Sequence, residues 1–287
     1  MGLMMIEEKR TASPAPHERN REQVLFFTTS VRDGNAVQRQ LHEAQTVMVG
    51  GGVIGSLTGG LLAEAGVGRL RVLDPMKIDT RMVEADPLLR SEDIGRPRAE
   101  ALCERLRQHY PALSSESVDA DPHSTEELTT VLRGATCAVA CLDAPAPALL
   151  EALNAAALMV DTRWIVGQMY RGVGLVGPFI IPHQTPCYKC YELRRDANLN
   201  NYTETMHYES RLREMPGIRS ECVAPRPLAA LLSAFLALET QRLLTGVCTP
   251  QTIGRVARLD FFSPEVTYHR ILRFPHCPAC GYGKRRP

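Results

Sequence analysis

The sequence predicts an α/β fold: a Rossmann-like, mostly parallel sheet with helices on both faces. Three observations predict it. The turn Gly50-Gly51-Gly52-Val53-Ile54-Gly55 separates an apolar strand pattern from a helical one. Apolar runs of strand and helix period alternate from Thr46 to Asp161. Two C-x-x-C pairs close a C-terminal lobe.

Local pattern justifies each element in order. Residues 6–23 are charged, contain proline and lack an apolar period, so residues 1–23 are expected to form a flexible arm. Val24 to Phe27 is a short apolar run, and Gln38 to Ala44 suits a helix leading into the first core strand. Thr46 to Val49 has the continuous apolar character of a buried strand, Ser56 to Ala65 is helical, and Arg69 to Leu73 is the next strand, ending at Asp74. A helix over Arg96 to His109 and a strand over Cys137 to Leu142 follow. Pro145 and Pro147 precede an Ala/Leu-rich helix reaching Leu158, and Met159 to Asp161 read as a short strand. Residues 24–175 thus form a nucleotide-binding-type domain, and residues 176–287 a lobe packed with it as one unit.

Composition excludes several classes. A formal net charge of +1 over 287 residues leaves no basic excess to release counterions, which argues against a general nucleic-acid or anionic-membrane binder. No run of about 18 residues is free of charges and turns, so no membrane span is expected. Met1 to Arg10 carries Glu7, Glu8, Lys9 and Arg10 and no long apolar run, unlike a secretory signal. Nine cysteines without such a signal point to the reducing cytoplasm.

Cys187-Tyr188-Lys189-Cys190 and Cys277-Pro278-Ala279-Cys280 can place four thiolates at the corners of a tetrahedron, the arrangement a structural zinc ion prefers. Pro278 and Gly281 suit the tight turn of a knuckle. A redox dithiol competes, but two matched pairs in loop-like settings favour the metal. With sulfur at every position no site stays open to water, so the zinc is expected to be structural. Cys103, Cys137, Cys141 and Cys248 fall in helix or strand patterns and read as core.

Gly50, Gly52 and Gly55 form a G-x-G-x-x-G turn that lets backbone approach phosphates at a helix N-terminus. Asp74, about twenty residues past the last glycine, can accept a ribose hydroxyl. Taken alone, this pattern reads equally as an NAD fingerprint or an ATP site, and tight helix–sheet packing with no nucleotide would also use these glycines.

Taken together, GGGVIGS, the strand-end Asp74, Asp93-Ile-Gly-Arg-Pro-Arg98, Cys141-Leu-Asp143 and the two cysteine pairs resemble the ThiF/MoeB, or ubiquitin-activating-enzyme-like, superfamily. The resemblance runs from about residue 36 to 283. Members adenylate the C-terminus of a small protein or peptide. LDAPAPALLEALNAAAL (142–158), VGPFIIPHQTPCYKCYELRR (176–195) and HRILRFPHCPACG (269–281) look like the branch associated with azole- and azoline-modified ribosomal peptides (TOMM), whose members partner a YcaO-type cyclodehydratase. The resemblance implies ATP and magnesium as cofactors, with a precursor peptide, a YcaO-type enzyme and a second copy of the chain as partners. Asp143 matches the acid that holds magnesium. Arg98 stands at the family's lysine, keeping the charge but replacing a compact ammonium with a planar fork. Cys222 falls where sulfur-transferring and thioester-forming relatives carry a reactive cysteine. Arg226 and the following helix N-terminus would stabilise its thiolate, against the alternative of an inert thiol.

The chain also departs from the family. Met76 stands where a second Asp is usual, Met82 and Ala85 where an Asn and an Arg bind sugar and phosphate, and Ala144 where an Asn follows the magnesium acid. Arg19 or Arg21 matches poorly the arginine that reaches a partner subunit's phosphates, and Arg81 or Arg90 could supply the missing charge. Leader-binding members of that branch carry a winged-helix domain of about 80 residues before the glycine turn. Only about 45 residues precede it here, so leader contact is expected through a sheet edge, a crossing loop or a separate protein. Polar Glu192 to Ile218 reads as an exposed crossing loop with partial helix, either a mobile cover for the site or a plain linker. Leu228 to Leu244 is apolar nearly all round, as a buried or interface helix would be. Two functions follow: a zinc-stapled partner that presents a precursor peptide to a YcaO-type cyclodehydratase, or an ATP-dependent adenylyltransferase acting on a peptide or sulfur-carrier C-terminus.

Overall fold

A computed structural model describes residues 20–30, 33–86, 89–170, 172–215, 225–263 and 265–281. Helices α1 (Arg21–Ser30) and α2 (Gly34–Glu43) lead into β1 (Gln45–Val49), which passes through the glycine turn into α3 (Val53–Glu64) and β2 (Arg69–Leu73). Next come α4 (Thr80–Ala85), a 3-10 turn at Ser91–Asp93, α5 (Arg98–His109), β3 (Ser114–Val118), α6 (Thr125–Leu132), β4 (Cys137–Leu142) and α7 (Pro147–Val160). The chain continues through β5 (Trp164–Tyr170), β6 (Val173–Ile180), α8 (Tyr188–Asp196), α9 (Tyr202–Glu214), α10 (Arg226–Thr245), β7 (Arg255–Asp260) and β8 (Val266–Arg270).

All eight strands join one sheet in the order β3-β2-β1-β4-β5-β6-β7-β8. The first five in that order run parallel, and β6 to β8 add on antiparallel. Strand alternation divides the core. Met48, Leu70 and Phe179 face Leu62, Leu102, Leu106, Leu232 and Leu236, while Val47, Ala138 and Trp164 face Leu128, Leu132 and Leu153. Each such leucine contributes about 1.5–3 kcal/mol by leaving water. Among the described residues α10 alone is long and apolar enough to cross a membrane, and its Leu232 and Leu236 are buried against the sheet.

Several sequence expectations are corrected. The arm ends earlier than residue 23: α1 begins at Arg21 and is docked, with Asn20 Nδ2 donating to Glu64 O (2.9 Å) and Gln23 Nε2 to Ala65 O (2.8 Å). Residues 1–19 lie outside the described part. Met159 and Val160 continue α7, which stops at Asp161 in the left-handed region (φ 57°), so no strand forms there. Trp164 opens β5 and packs on Tyr188 with ring centroids 5.8 Å apart. The polar stretch after Glu192 is helical: it holds the end of α8 and all of α9, with Glu192, Thr205, Glu209 and Leu212 buried. Buried acids paired with arginine look, by composition, like a solvated loop. Cys248 is exposed and not core.

A buried ion cluster fixes the turn that precedes α5. Asp93 is fully buried, accepts the Arg90 amide (2.9 Å), and pairs with Arg105 (3.1 Å) and Arg96 (2.9 Å). Burial pushes Asp93 up, but the Arg90 amide and the Arg105 guanidinium outweigh it and hold the carboxyl below its ordinary value. Asp93→Ala removes the buried counter-charge of Arg105, which then keeps only the exposed Glu92 (2.9 Å), and is expected to cost up to about 3 kcal/mol, read from urea unfolding. The contribution of a depressed carboxyl is present above its unfolded value of about 4 and lost as pH falls through the folded one. The gap between native protein and variant should therefore narrow from pH 7 to pH 3.

Candidate functional site

Parallel strands end on the same side, so the C-terminal ends of β1, β2 and β4 meet the N-termini of α3 and α5 in one crevice. Gly50 has φ +101°, a left-handed value that glycine adopts freely, and a side chain there would collide with the Cys141 carbonyl. A side chain at Gly55 would collide with the Gly50 carbonyl, and one at Gly52 with the Asp143 carboxylate. Gly50 and Gly55 are therefore required by close backbone approach, while Gly52 leaves room for the Asp143 side chain.

The carboxylates converge on the turn. Asp143 at the end of β4 accepts the amides of Val53 (3.0 Å) and Ile54 (2.9 Å), the orphan donors of α3's first turn. Gly52, at the capping position, has no side chain to do this. Asp74 accepts the amides of Gly51 (2.6 Å) and Met76 (2.9 Å), and its Oδ2 also takes Arg98 Nε (2.9 Å) and Nη2 (2.6 Å). Arg98 Nη1 meets the Met82 thioether Sδ at 3.9 Å.

The charge balance is negative. Burial disfavours the charge on Arg98, yet Asp74, then Asp143 and Asp86, raise its pKa above the ordinary value. Burial pushes Asp143 above the usual carboxylate range, while the Ile54 amide, Arg98 and the Val53 amide pull the other way. One guanidinium among these acids leaves room for a further cation when a polyphosphate arrives.

The fold thus brings together Gly50, Gly52, Gly55, Asp74, Arg98 and Asp143. Cys222 and Arg19 lie outside the described residues. Arg21 stands on α1, whose neighbour Asn20 docks at the far end of α3. Arg81 and Arg90 are 70% and 61% exposed, Arg81 at 4.0 Å from Asp79 and Arg90 at 3.6 Å from Glu92. Sequence reasoning did not single out the buried Asp86 or the amides of Gly51, Val53, Ile54 and Met76. Amides carry no sequence signal, and only a helix starting at Val53 instead of Ser56 would have exposed their role.

The cysteine pairs meet as their spacing predicts. Cys187, Cys190, Cys277 and Cys280 lie with all four sulfurs within 4.8 Å of one another. The separations Cys187–Cys277 (3.7 Å), Cys187–Cys190 (3.9 Å) and Cys190–Cys280 (3.5 Å) bracket the edge of about 3.8 Å that a tetrahedron of 2.3 Å metal–sulfur bonds requires. The Phe274 amide donates to Cys190 Sγ (3.4 Å), an outer contact that orients a thiolate ligand. These four residues could hold a metal ion.

The ThiF-family sequence model matches residues 22–279. The chain belongs to the ThiF family. It is 24% identical over 244 residues to the molybdopterin-synthase adenylyltransferase of Salmonella typhimurium, covering 85% of this chain and 90% of that protein. It is 25% identical over 251 residues to the sulfur carrier protein adenylyltransferase of Thermus thermophilus, covering 85% and 84%. Its fold is similar to that of E. coli MccB with ATP (TM-score 0.76, 18% identity, 93% of this chain and 76% of that one).

Asp143→Asn keeps an acceptor at α3's N-terminus but removes the titration. A raised carboxyl favours the fold most below its unfolded value of about 4, and this contribution is lost as pH climbs through the folded value. The stability of the native protein relative to Asp143→Asn is therefore expected to fall between pH 4 and pH 7, measured by urea unfolding at both.

Proposed function

We propose that this ThiF-family chain adenylates the C-terminal carboxylate of a peptide or small carrier protein. The observation that supports this best is the convergence of the glycine turn, the α3 amides, Arg98 and Asp143 in one crevice. Relatives named as molybdopterin-synthase and sulfur-carrier adenylyltransferases support it as well.

The chemistry follows from the donors. Val53 and Ile54 amides at a helix N-terminus suit a phosphate once Asp143 turns away from them. Asp143, at the end of β4, would hold magnesium, which when bound would supply positive charge opposite the pyrophosphate leaving group. A carboxylate oxygen of the bound peptide attacks the α-phosphorus of ATP, the bond to the bridging oxygen breaks, and an acyl-adenylate and pyrophosphate result. Arg98 offsets the charge gathering on the phosphate oxygens. Asp74 Oδ1, which accepts the Met76 amide, is the oxygen for a ribose hydroxyl. Cys222 is the candidate to accept the acyl group afterwards.

We assign a structural zinc to Cys187, Cys190, Cys277 and Cys280, and take the protein to act as a cytoplasmic homodimer. The three segments that resemble the azoline-peptide branch favour a ribosomal precursor peptide as the substrate, with a YcaO-type cyclodehydratase acting alongside. A second reading, a scaffold that presents the peptide without adenylating it, is favoured by the Arg98 fork already bound to Asp74 and by Met82 beside it.

ATP–pyrophosphate exchange with candidate peptides or carrier proteins separates the two. Exchange that Asp143→Ala lowers by about 100-fold or more supports adenylation. No exchange, together with unchanged pathway product in Asp143→Ala, supports the scaffold. Elemental analysis should find one zinc per chain. Cys277→Ser should lose it and unfold the C-terminal lobe, with exchange falling only as the folded fraction falls.

A further inference from the structure

The crevice carries more acid than base. Asp74, Asp143 and Asp86 all bear on the single guanidinium of Arg98. A triphosphate brings further negative charge, which one divalent ion offsets only in part. Two arginines of the connection from β2 to α5 already face carboxylates, Arg81 at 4.0 Å from Asp79 and Arg90 at 3.6 Å from Glu92. Arg226, the first residue of α10, differs from both. It is exposed, and its Nη2 donates to the Glu84 carbonyl, one of the last-turn carbonyls that α4 itself leaves unpaired. Among the described residues Arg226 has no carboxylate partner. A phosphate offers this guanidinium two charged acceptors in place of one neutral carbonyl, an exchange that its planar fork favours.

Packing puts that charge at the mouth of the crevice. α10 and α3 run side by side in the same direction. Ser233 Oγ lies 3.3 Å from the Ile54 carbonyl in the first turn of α3, and Gln241 reaches the Ala65 carbonyl past its end through Gln23 (3.1 Å and 2.8 Å). Arg226 comes seven residues before Ser233, so the start of α10 overhangs the start of α3 by about 10 Å. The overhang lies on the side where β1, β2 and β4 end. α4 ties it to Arg98: Met82 is 3.9 Å from Arg98 Nη1, and Glu84, two residues on, receives Arg226. A single turn of α4 thus separates the two guanidiniums. With Asp74 Oδ1 for the ribose and the α3 amides for the inner phosphate, the outer phosphates are the ones that reach the mouth.

We infer that Arg226 is the second phosphate-binding cation of this crevice. It leaves the Glu84 carbonyl and closes on the outer phosphates of ATP, across α4 from Arg98. The inference rests on the nucleotide site of the adenylation reading above, and adds a residue from the far side of the chain that discriminates ATP from AMP. The resting bond to Glu84 keeps the side chain extended towards the site, so little order is lost when a phosphate takes its place.

The test is calorimetric titration of the full-length protein with ATP plus magnesium and, separately, with AMP. Arg226→Ala is expected to weaken ATP about tenfold or more and AMP less than about twofold, with Arg226→Lys recovering most of the ATP affinity. Arg226 is exposed on the first turn of α10, so unfolding by urea should be unchanged in both variants. A purely structural role, holding α4 through Glu84, would weaken both nucleotides together, because Asp74 and the α3 amides serve both. Equal losses for ATP and AMP, unchanged ATP affinity in Arg226→Ala, or no ATP binding by the native protein overturns the inference. ATP–pyrophosphate exchange keeps the two claims apart. A selective loss of ATP binding in a protein without exchange leaves Arg226 standing and removes adenylation. Exchange whose KM for ATP is the same in Arg226→Ala removes Arg226 alone.

Discussion

The contact on which the rest of the structure depends is the backbone approach of the glycine turn to the end of β4. Gly50 turns back in a left-handed conformation against the Cys141 carbonyl, and Gly55 presses on Gly50. Because no side chain intervenes, α3 starts directly above the sheet, and its first free amides point at Asp143. Pairing of β1 with both β2 and β4 then carries Asp74 and Asp143 to either side of the same helix end. A methyl group at any of these glycines would move the helix, and with it each of those relations.

Electrostatics sets what this geometry can do. In the resting crevice every prominent acceptor has a donor from within the chain: amides serve Asp143, and amides plus a guanidinium serve Asp74. Arginine makes this possible where a lysine would not, since one planar fork places two donors on a single carboxylate oxygen. The cost is competition. A nucleotide has to displace a carboxylate from the α3 amides, and the acids around Arg98 resist a second negative group unless a cation comes with it. The Met82 thioether beside Arg98 adds no charge to that balance.

Legibility in the sequence tracked the range of the interaction. The strands at 69–73 and 137–142, the glycine turn and the cysteine knuckle are local or spaced patterns, and they stand where the pattern puts them. Helix starts were less legible: α3 begins at Val53, three residues before Ser56, because Asp143, 90 residues away, supplies the cap. β3, with Ser114, Ser115, Glu116 and Ser117, has no apolar signature and is a strand because β2 offers it an edge. The antiparallel strands β6 to β8 were likewise hidden, since β8 is exposed along its length and alternates no core face.

The buried acids of α8 and α9 show the same limit from the other side. Glu192 and Glu209 are polar by any local measure, yet both are buried, held by Arg195 and Arg213 from neighbouring turns and by Lys189. Arg213 also reaches back 62 residues to Glu151 on α7. Cys187 and Cys190, at the start of the same α8, meet Cys277 and Cys280. One short helix therefore carries both a cysteine pair and part of the ion network, so whatever holds the thiols together also holds Glu192 against Lys189 and Arg213. Removing one charge from such a network leaves its partners buried and unpaired, which is why position, not composition, decides that this stretch is structure.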